Sequence, residues 1–221
     1  MSGASIDLDA LAEAIGAASP RLGIAVSPVQ LEQLHRYLGL LQRWNSTYNL
    51  TALRDPGQML SHHLLDCLAV VAPLQRQLGG EPTRLLDVGS GGGLPGVVLA
   101  LMNPAVDVTC VDTVGKKAAF IRQVAAELQL ANLHALHQRV EQGRGQYQVI
   151  TSRAFATLAD FCQLTRTQLV AGGLWMAMKG KEPTDEIAAL PSDVEVFHVE
   201  HLTVPGLDAE RCIVWMRLRT A

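Results

Sequence analysis

The first part of the chain carries hydrophobic positions at helical spacing. The pattern is clearest in four leucines placed three or four residues apart: Leu31, Leu34, Leu38 and Leu41. These positions line one face of a helix predicted over 28–44, and Ser27-Pro28 supplies a capping hydroxyl and a first-turn proline for it. Similar patterns cover 6–15 and about 56–78. The sequence therefore predicts an N-terminal helical subdomain over residues 1–80.

From residue 84 onward, short apolar runs of strand length alternate with helical stretches. The predicted strands are 84–88, 106–112, 133–138, 148–152 and 174–179, and the predicted helices are 95–102, 116–130, 157–171 and 184–190. Such alternation is typical of a parallel sheet with helices on both faces. Two last strands, 194–204 and 211–219, follow each other without a helix between them. We expect a seven-stranded, doubly wound α/β domain over 81–221 that closes with an antiparallel hairpin.

Composition and charge narrow the class of protein further. The 221 residues are 48 % hydrophobic and 18 % charged, which is ordinary globular composition. A net charge of −3 argues against wrapping nucleic acid through overall positive charge, although a local basic patch stays compatible with it. No apolar run is long enough to span a bilayer, and we expect a cytoplasmic protein without membrane contact.

The four cysteines lie far apart in the sequence and form no pair at metal-binding or redox spacing. They are Cys67, Cys110, Cys162 and Cys212. Each stands in an apolar run, where a free cysteine behaves as a small buried hydrophobic residue. We therefore expect neither a disulfide framework nor a metal site.

A glycine-rich loop follows the first predicted strand, and it satisfies two ligand-binding patterns at once. In one register, Gly91-Gly92-Gly93-Leu94-Pro95-Gly96 matches the G-x-G-x-x-G of dinucleotide-binding folds. In the other, Asp87-x-Gly89-x-Gly91-x-Gly93 matches the acidic-x-G-x-G-x-G pattern of enzymes that use S-adenosylmethionine. Because glycines accept positive φ and let the backbone approach a ligand closely, either reading predicts a cofactor here.

The positions of the acidic residues favour S-adenosylmethionine. Gly89 stands at the strand end, and Pro95 removes one N–H that a pyrophosphate would need at the following helix. Asp87 would repel pyrophosphate but can receive the cofactor's ammonium group, directly or through water. Asp112 ends the next strand, where it can accept both ribose hydroxyls. The closing antiparallel hairpin also fits the methyltransferase variant of the fold better than the dehydrogenase variant.

With these residues located, the chain resembles the bacterial guanine-N7 methyltransferases of small-subunit ribosomal RNA, a family also called glucose-inhibited division protein B. The resemblance covers about residues 28 to 219. Its motifs here are Trp44-Asn45-x-x-Tyr48-Asn49-Leu50-Thr51, Arg54-Asp55-Pro56, His63-x-x-Asp66, the loop from Asp87 to Gly96, Arg139-Val140-Glu141, Ser152-Arg153-Ala154 and Lys179-Gly180. Their order and spacing together are specific.

The resemblance implies methylation of N7 on a guanine in the 530 loop of 16S rRNA, with S-adenosylmethionine as the methyl donor. It implies that Gly89 and Leu94 contact the cofactor and that Val140 and Glu141 bracket its adenine. Arg153 would then lie beside the methyl-transfer site and contact the cofactor there. The implied partner is 16S rRNA, in the small subunit or in one of its assembly intermediates, and nothing in the sequence points to an obligate protein partner or away from a monomer.

The implied chemistry needs alignment more than proton transfer, because guanine N7 carries a lone pair and no proton. Arg153 follows the fourth strand and could orient O6 of the guanine or a phosphate through paired hydrogen bonds. A structural ion pair is the alternative for Arg153. Lys179, at the end of the fifth strand, is a second candidate for RNA contact, with a merely solvated strand end as its alternative.

Other residues are ambiguous at this stage. His62, His63 and Asp66 have helical spacing that a metal could use, but a hydrogen-bonded His–Asp pair is the stronger expectation. Trp44 and Tyr48 could stack on an RNA base, although docking of a helix end against the catalytic domain is favoured. A basic rim around the cleft is as well supported as a solvated face. Its candidate members are Arg36, Arg43, Arg54, Lys116, Lys117 and Arg122.

Two other functions stay open from the sequence. An NAD-dependent oxidoreductase would use the register from Gly91 to Gly96, and a regulator would bind the cofactor without catalysis.

Overall fold

Seven strands form a single mixed sheet, within residues 7–53 and 55–219 that the computed structural model describes. The strands are β1 (Thr83–Val88), β2 (Val106–Asp112), β3 (Leu133–His137), β4 (Tyr147–Arg153), β5 (Leu169–Lys179), β6 (Val194–Leu202) and β7 (Arg211–Leu218). Their order across the sheet is β3-β2-β1-β4-β5-β7-β6, and β7 runs antiparallel to both of its neighbours. The doubly wound sheet with a closing antiparallel hairpin is therefore confirmed.

Helices cover both faces of this sheet. They are α1 (Leu8–Leu22), α2 (Pro28–Tyr48), α3 (Pro56–Met59), α4 (Asp66–Leu68), α5 (Val71–Leu78), α6 (Gly96–Met102), α7 (Gly115–Glu127), α8 (Leu158–Thr165) and α9 (Thr184–Ala188). The predicted start of α2 is confirmed, since Ser27 and Gln30 exchange side-chain to backbone hydrogen bonds in a capping box. None of the described helices is long and apolar enough to cross a membrane.

Alternate side chains of each strand enter two different cores, as the two-residue period of a strand requires. On one face, Leu85 of β1 and Trp215 of β7 pack in a core that also contains Leu34 of α2. On the other face, Leu86 and Trp175 pack against α8. The N-terminal helices therefore share a continuous core with the sheet and hold its shape directly.

The prediction of one helix over 56–78 is wrong. This stretch contains α3, a π-helical turn over Leu60–Leu65, the short α4, and α5. Pro73 explains part of the interruption: it has no N–H to donate, so it is tolerated in the first turn of α5 but not inside a continuous helix. The π-helical turn carries His62 and His63, two of the residues considered above as site candidates.

The boundary between α8 and β5 also differs from the prediction. The predicted helix over 157–171 stops at Thr165, a 3₁₀ turn follows, and β5 already begins at Leu169 rather than at 174. Leu169 pairs with Tyr147 of β4, and the register then shifts before Val149. Gly172, at φ 74°, lies in this irregular part of the strand. The glycine is therefore part of a β-bulge and does not end the strand.

The edge of the sheet where the parallel strands end gathers the predicted site residues. Asp87 and Asp112 stand at the ends of β1 and β2, and Arg153 and Lys179 are the last residues of β4 and β5. Because β7 is antiparallel to β5, its first residue, Arg211, lies at this same edge beside the pair formed by Cys212 and Lys179. A residue from the end of the chain therefore joins the site.

Candidate active site

The loop between β1 and α6 depends on its glycines. Gly89, Gly91 and Gly93 have φ of 67°, 57° and 84°, a region that side chains with a Cβ seldom occupy. A Cβ on Gly93 would lie 2.4 Å from Val97 Cγ2, so there is no room for one. Backbone N–H groups of Gly93 and Leu94 both donate to the carbonyl of Ser90, which closes the loop into a tight turn.

Two carboxylates fix the loop from below by accepting its backbone N–H groups. Asp112 Oδ2 accepts the N–H of Gly91 at 3.1 Å, while its Oδ1 accepts that of Val114 at 2.8 Å. Asp87 Oδ2 accepts the N–H of Gly96 at 2.8 Å. Hydrogen bonds to a charged acceptor are stronger than neutral ones. The loop is therefore held in place by two acidic side chains.

Helix α2 reaches the same loop from the opposite side. The Tyr37 side chain is fully buried, and its hydroxyl donates to the carbonyl oxygen of Gly92 at 2.6 Å. A Cβ on Gly92 would lie 2.8 Å from Leu41 Cδ1, one turn further along α2. Helix α2 thus contacts the glycine loop itself, in addition to packing against the sheet.

We predict that replacing Tyr37 by phenylalanine lowers the free energy of unfolding by about 1–3 kcal/mol, because the buried carbonyl of Gly92 loses its donor. Urea denaturation measures the change. Tyr48→Phe is the matched control, since the Tyr48 side chain is 43 % exposed, and it should change stability by less than about 0.5 kcal/mol. Equal effects of the two substitutions would contradict the role given to Tyr37.

Two cavities open on either side of the loop. The first, the Arg153 cavity, has a volume of about 590 Å³ and is lined by Leu50, Thr51, Ala52, His62, His63, Asp66, Gly89, Ser90, Gly91, Gly92, Leu94, Arg153, Ala154, Met178, Lys179, Gly180, Leu202, Arg211 and Cys212. The second, the Asp112 cavity, has a volume of about 350 Å³. Both include Gly89 and Ala154 in their walls. A ligand that crosses Gly89 would therefore reach from one cavity into the other.

The Asp112 cavity contains the residues expected on the adenosine side of the cofactor. Asp112 is 7 % exposed and lines it, together with Val140 and Glu141 from the 3₁₀ turn that follows β3. Phe155 also lines this cavity, and its ring lies directly against Gly89. Ala154, at φ 54°, turns the chain after β4 so that Phe155 takes this position. The structure thus brings Asp112, Val140, Glu141 and Gly89 together in the wall of one cavity.

Two of the predicted cofactor contacts need correction. Asp87 is 0 % exposed and Gly93 packs against Val97, and neither belongs to the wall of either cavity. In this arrangement Asp87 cannot receive an ammonium group directly, because its carboxylate lies under the loop and bonds Gly96. Both residues shape the loop instead. Gly91 and Leu94, by contrast, do line the Arg153 cavity.

Burial raises the pKa of the Asp87 carboxyl from 3.8 to about 7, against the opposing effect of the Gly96 N–H and of Arg153. Its other oxygen, Oδ1, is buried without a hydrogen-bond partner among the described residues. A buried, half-satisfied carboxylate is costly.

We predict that Asp87→Asn flattens the dependence of stability on pH. The folded state holds the proton of Asp87 up to about pH 7, whereas the unfolded chain releases it near its ordinary pKa of 3.8. Its contribution to stability is therefore complete below about pH 4 and is lost as the pH rises through 7. Between about pH 5 and about pH 8, the wild type should lose about 2–3 kcal/mol more than the variant in urea titrations.

If the free energy of unfolding of wild type and Asp87→Asn changes with pH in parallel, the prediction for Asp87 is contradicted. His63 acts in the opposite direction, because burial and the nearby Arg153 lower its pKa from 6.5 to about 4. The contribution of His63 is present above about pH 6.5 and disappears as the pH falls through 4. The difference between wild type and Asp87→Asn removes this shared background.

Arg153 ends β4 and enters the Arg153 cavity, where its guanidinium is held by the segment around the π-helical turn. Nη1 donates to Asp66 Oδ2 at 3.1 Å and to the carbonyl of His62 at 3.0 Å. Although burial disfavours its charge, the pKa of Arg153 is raised above its ordinary value by the neighbouring Cys67 and by the Asp66 carboxylate that it binds. The ion pair weighed as an alternative for Arg153 is therefore present, on the wall of the cavity.

The expected His–Asp pair is wrong. The two oxygens of Asp66 accept from arginines: Oδ2 from Arg153 and Oδ1 from Arg211 Nε at 2.8 Å. His63 Nε2 instead lies 2.8 Å from Thr51 Oγ1. A guanidinium is always charged and offers several donors, so it competes better for a buried carboxylate than an imidazole does. Within the described ranges, no cluster of histidine, cysteine or acidic side chains could hold a metal ion.

Lys179 also lines the Arg153 cavity but is bound to protein groups. Its Nζ lies 2.7 Å and 3.0 Å from the two oxygens of Glu186, and 3.2 Å from the carbonyl oxygen of Ala156. The side chain is 18 % exposed, so it is not the solvated strand end considered from the sequence. Glu186 offsets its charge.

The residues proposed for a basic rim are spread over α2 and α7. Arg36 donates to the Glu127 carbonyl and Arg122 to that of Ala135, whereas Lys117 lies 3.7 Å from Asp112. Arg54 lies outside the described residues. These three side chains therefore have protein partners at the surface, and the basic rim stays a prediction.

At the end of α2, Trp44 packs against α7 as the docking interpretation predicts, whereas Tyr48 is not buried there. Trp44 Nε1 donates to Gln123 Oε1 of α7, and its ring packs 5.5 Å from that of Phe120. Tyr48 is exposed, with Lys116 Nζ 4.8 Å from the centre of its ring.

Sequence reasoning missed Arg211 entirely and gave Asp66 the wrong partner. The signal for Arg211 was indirect: a last strand that runs antiparallel brings its first residue to the edge where the parallel strands end. An arginine at that position, 145 residues from Asp66, does not stand out by spacing or motif.

Comparison with known proteins identifies the family of the chain. A family model described as "rRNA small subunit methyltransferase G" matches residues 30–214. This chain belongs to that family. Curated members include one from Leptothrix cholodnii, 63 % identical over 205 residues that cover 92 % of this chain and 94 % of the relative. Another, from Paracidovorax citrulli, is 56 % identical over 226 residues that cover 97 % of this chain and 93 % of that relative. Both are called ribosomal RNA small subunit methyltransferase G.

Solved structures agree on the fold of this methyltransferase family member. A glycopeptide N-methyltransferase complexed with sinefungin superposes with a TM-score of 0.58 at 10 % identity, covering 68 % of this chain and 85 % of that one. TrmN from Thermus thermophilus superposes with a TM-score of 0.55 at 17 % identity, and the match covers 72 % of this chain and 53 % of TrmN. At these identities, the likeness concerns the fold alone.

Proposed function

We propose that this member of the rRNA small subunit methyltransferase G family transfers the methyl group of S-adenosylmethionine to N7 of a guanine in the 530 loop of 16S rRNA. The observation that supports this proposal is the hydrogen bonding of the glycine loop to acidic side chains. Its N–H groups at Gly91 and Gly96 already donate to the carboxylates of Asp112 and Asp87. A loop bonded to two carboxylates suits a cationic cofactor.

The same observation argues against the oxidoreductase alternative. A dinucleotide pyrophosphate needs free N–H donors at the start of the helix after the loop. Here Asp87 takes the N–H of Gly96, and Pro95 has none to give. The negative charge beneath the loop would repel a pyrophosphate but attract an ammonium or sulfonium group.

The two cavities would bind different ligands or different parts of one ligand. Asp112 has two oxygens next to the wall of its cavity and suits a pair of ribose hydroxyls, while Val140 and Glu141 suit the two sides of an adenine. Gly89, shared by both cavities, lets the cofactor pass close to the backbone. When bound, S-adenosylmethionine supplies a methyl group that its sulfonium has already activated. The Arg153 cavity then receives the guanine.

What this chain must add is orientation. N7 of guanine has no proton to lose, so the side chains need to hold its lone pair in line with the methyl group. Arg153 stands at the boundary of the two cavities, next to Ala154, with its guanidinium fixed by Asp66 and by the carbonyl of His62. A fixed guanidinium can hold O6 or a phosphate while N7 stays free. His63, whose pKa is about 4, is neutral at pH 7 and adds no competing charge.

We place the activity in the cytoplasm, on 16S rRNA within the small subunit or an assembly intermediate, with the protein acting as a monomer. We also retain the division into a helical subdomain over 1–80 and a catalytic domain over 81–221. The contact of Tyr37 with Gly92 supports a helical subdomain that serves the cofactor loop of the catalytic domain.

Mapping the methylated base tests the function. Small subunits from a strain that lacks the gene are incubated with the protein and tritiated S-adenosylmethionine, and N7-methylguanine is located by borohydride reduction and aniline cleavage of the RNA. We expect cleavage at one guanine in the 530 loop, dependent on both protein and cofactor. Cofactor binding without label transfer to RNA would favour a regulator, and fluorescence quenching by NADH but not by S-adenosylmethionine would favour an oxidoreductase.

A further inference from the structure

A buried carboxylate in the Arg153 cavity holds two arginines side by side. Asp66 is 3 % exposed, and its two oxygens accept from Arg153 Nη1 at 3.1 Å and from Arg211 Nε at 2.8 Å. Arg153 ends a parallel strand and Arg211 begins the antiparallel one, so Asp66 links two strands that are not neighbours in the sheet. All three residues line the same cavity.

The charges in this cluster do not cancel. Two guanidiniums face one carboxylate, which leaves one unit of positive charge on the wall. Lys179 adds nothing to it, because both oxygens of Glu186 bind its Nζ. Water screens a charge less inside a partly enclosed cavity than on the open surface, so this surplus positive charge attracts an anionic group more strongly there.

The guanidinium of Arg211 also keeps a donor available, while Arg153 Nη2 lies 3.4 Å from His63 Nδ1. Arg211 uses Nε for Asp66 and Nη1 for the carbonyl of Glu210, and its Nη2 makes no hydrogen bond to the residues that the structure describes. The side chains of Arg153 and Arg211 are 21 % and 23 % exposed, whereas that of Asp66 is 4 % exposed. The carboxylate is therefore buried behind the arginines, and the arginines meet the open space.

We propose that Arg153 and Arg211 together bind a phosphodiester of the RNA next to the target guanine, and that Asp66 is the positioning residue that holds both guanidiniums toward it. Planar guanidinium forks match the oxygens of a phosphate, and two of them fixed at one carboxylate leave little rotational freedom to lose. This inference rests on the proposed function, because it takes RNA as the ligand. It gives Arg211 a contact with substrate that no motif of the sequence suggests.

The test compares Arg211→Met with Arg217→Met in the full-length protein loaded with S-adenosylmethionine. Arg217 is the matched control, since it lies on the same strand and forms an ion pair with Glu195 outside the cavity. We expect Arg211→Met to raise KM for small subunits by about tenfold or more, with cofactor Kd within about twofold of wild type and kcat changed less than KM. Arg217→Met should match the wild type in all three.

Salt dependence separates a phosphate contact from a purely structural ion pair. Binding of small subunits from a strain that lacks the gene is measured over a range of salt concentrations. Loss of one phosphate contact should reduce the slope of log Kd against log salt by about one in Arg211→Met. A structural role would lower affinity without changing this slope. Arg211→Gln, which keeps a donor for Asp66 but no charge, repeats the measurement if the methionine variant does not fold.

Asp66→Asn tests the positioning role. It keeps the shape of the side chain but removes the charge that holds both arginines, so it should raise KM for the subunit while the cofactor still binds. Because the two residues would act as a unit, Arg211→Met should add little in the Asp66→Asn background. Fully additive effects on KM would contradict the positioning role.

Unchanged KM and an unchanged salt slope in a folded Arg211 variant would overturn the phosphate site. The proposed function fails separately if the wild type binds small subunits but transfers no methyl group to them. In that case, a reduced salt slope in Arg211→Met still supports the phosphate site. Failure of the wild type to bind small subunits at all would overturn both.

Discussion

Replacing Gly89 by alanine is expected to weaken binding of S-adenosylmethionine by at least about 100-fold, or about 2.7 kcal/mol. Two costs combine at this position. Gly89 has φ 67°, where an L-residue pays roughly 1–2 kcal/mol in conformational energy. The new Cβ would also lie 2.7 Å from Phe155 Cδ2, so the ring has to move. Because Phe155 lines the Asp112 cavity, that movement alters the space for the adenosine part of the cofactor.

Isothermal titration calorimetry measures this change, and Gly79→Ala is its matched control. Gly79 also has positive φ, 59°, but no atom lies within 4 Å of a Cβ placed there. The control should lose about 1–2 kcal/mol of stability through the same backbone cost and keep the cofactor affinity of the wild type. If Gly89→Ala binds the cofactor within about threefold of wild type, the two cavities do not form one cofactor site across Gly89.

Replacing Arg153 by methionine is expected to slow methyl transfer by about 10²- to 10³-fold, the range seen when one fixed donor is lost from an active site. Methionine fills the space but cannot hold O6 or a phosphate. It also leaves Asp66 with Arg211 as its remaining guanidinium partner. Single-turnover rates on small subunits measure the loss, because they separate the transfer step from release of the product.

Two controls accompany this measurement. Cofactor affinity of Arg153→Met should stay within about threefold of wild type, because the guanidinium already binds Asp66 and the carbonyl of His62, while the adenosine part is held in the Asp112 cavity. Arg153→Lys should recover part of the rate, as it restores the charge without the planar fork. A methionine variant that transfers the methyl group at the wild-type rate would show that the ion pair with Asp66 is the whole role of Arg153.

The sheet and the cofactor loop were predictable because their signals are local. Apolar runs alternate with helical stretches over most of the chain, and the glycines of the loop stand directly after β1. The position of Asp112 followed from the end of β2. Such features depend on neighbouring residues in the sequence, so pattern and spacing reveal them.

The errors arose where distant residues decide the outcome. The start of β5 depends on the pairing of Leu169 with Tyr147, and the partner of Asp66 depends on where β7 enters the sheet. Asp87 illustrates a second limit: its position in the motif was correct, but the depth at which its carboxylate is buried depends on packing around Cys110 and Gly96. Burial of this kind is a property of the folded chain.

The pairing of Asp66 with Arg211 also affects the order in which the protein becomes functional. Everything from β1 to Arg153, including the glycine loop and Asp112, comes from one continuous stretch of sequence. The second arginine is separated from Asp66 by 145 positions and follows nearly all other elements in the chain. Contacts between such distant residues form late, because a long loop must close first. We therefore expect a nascent chain to lack a complete RNA-binding site until β7 has left the ribosome that is synthesising it.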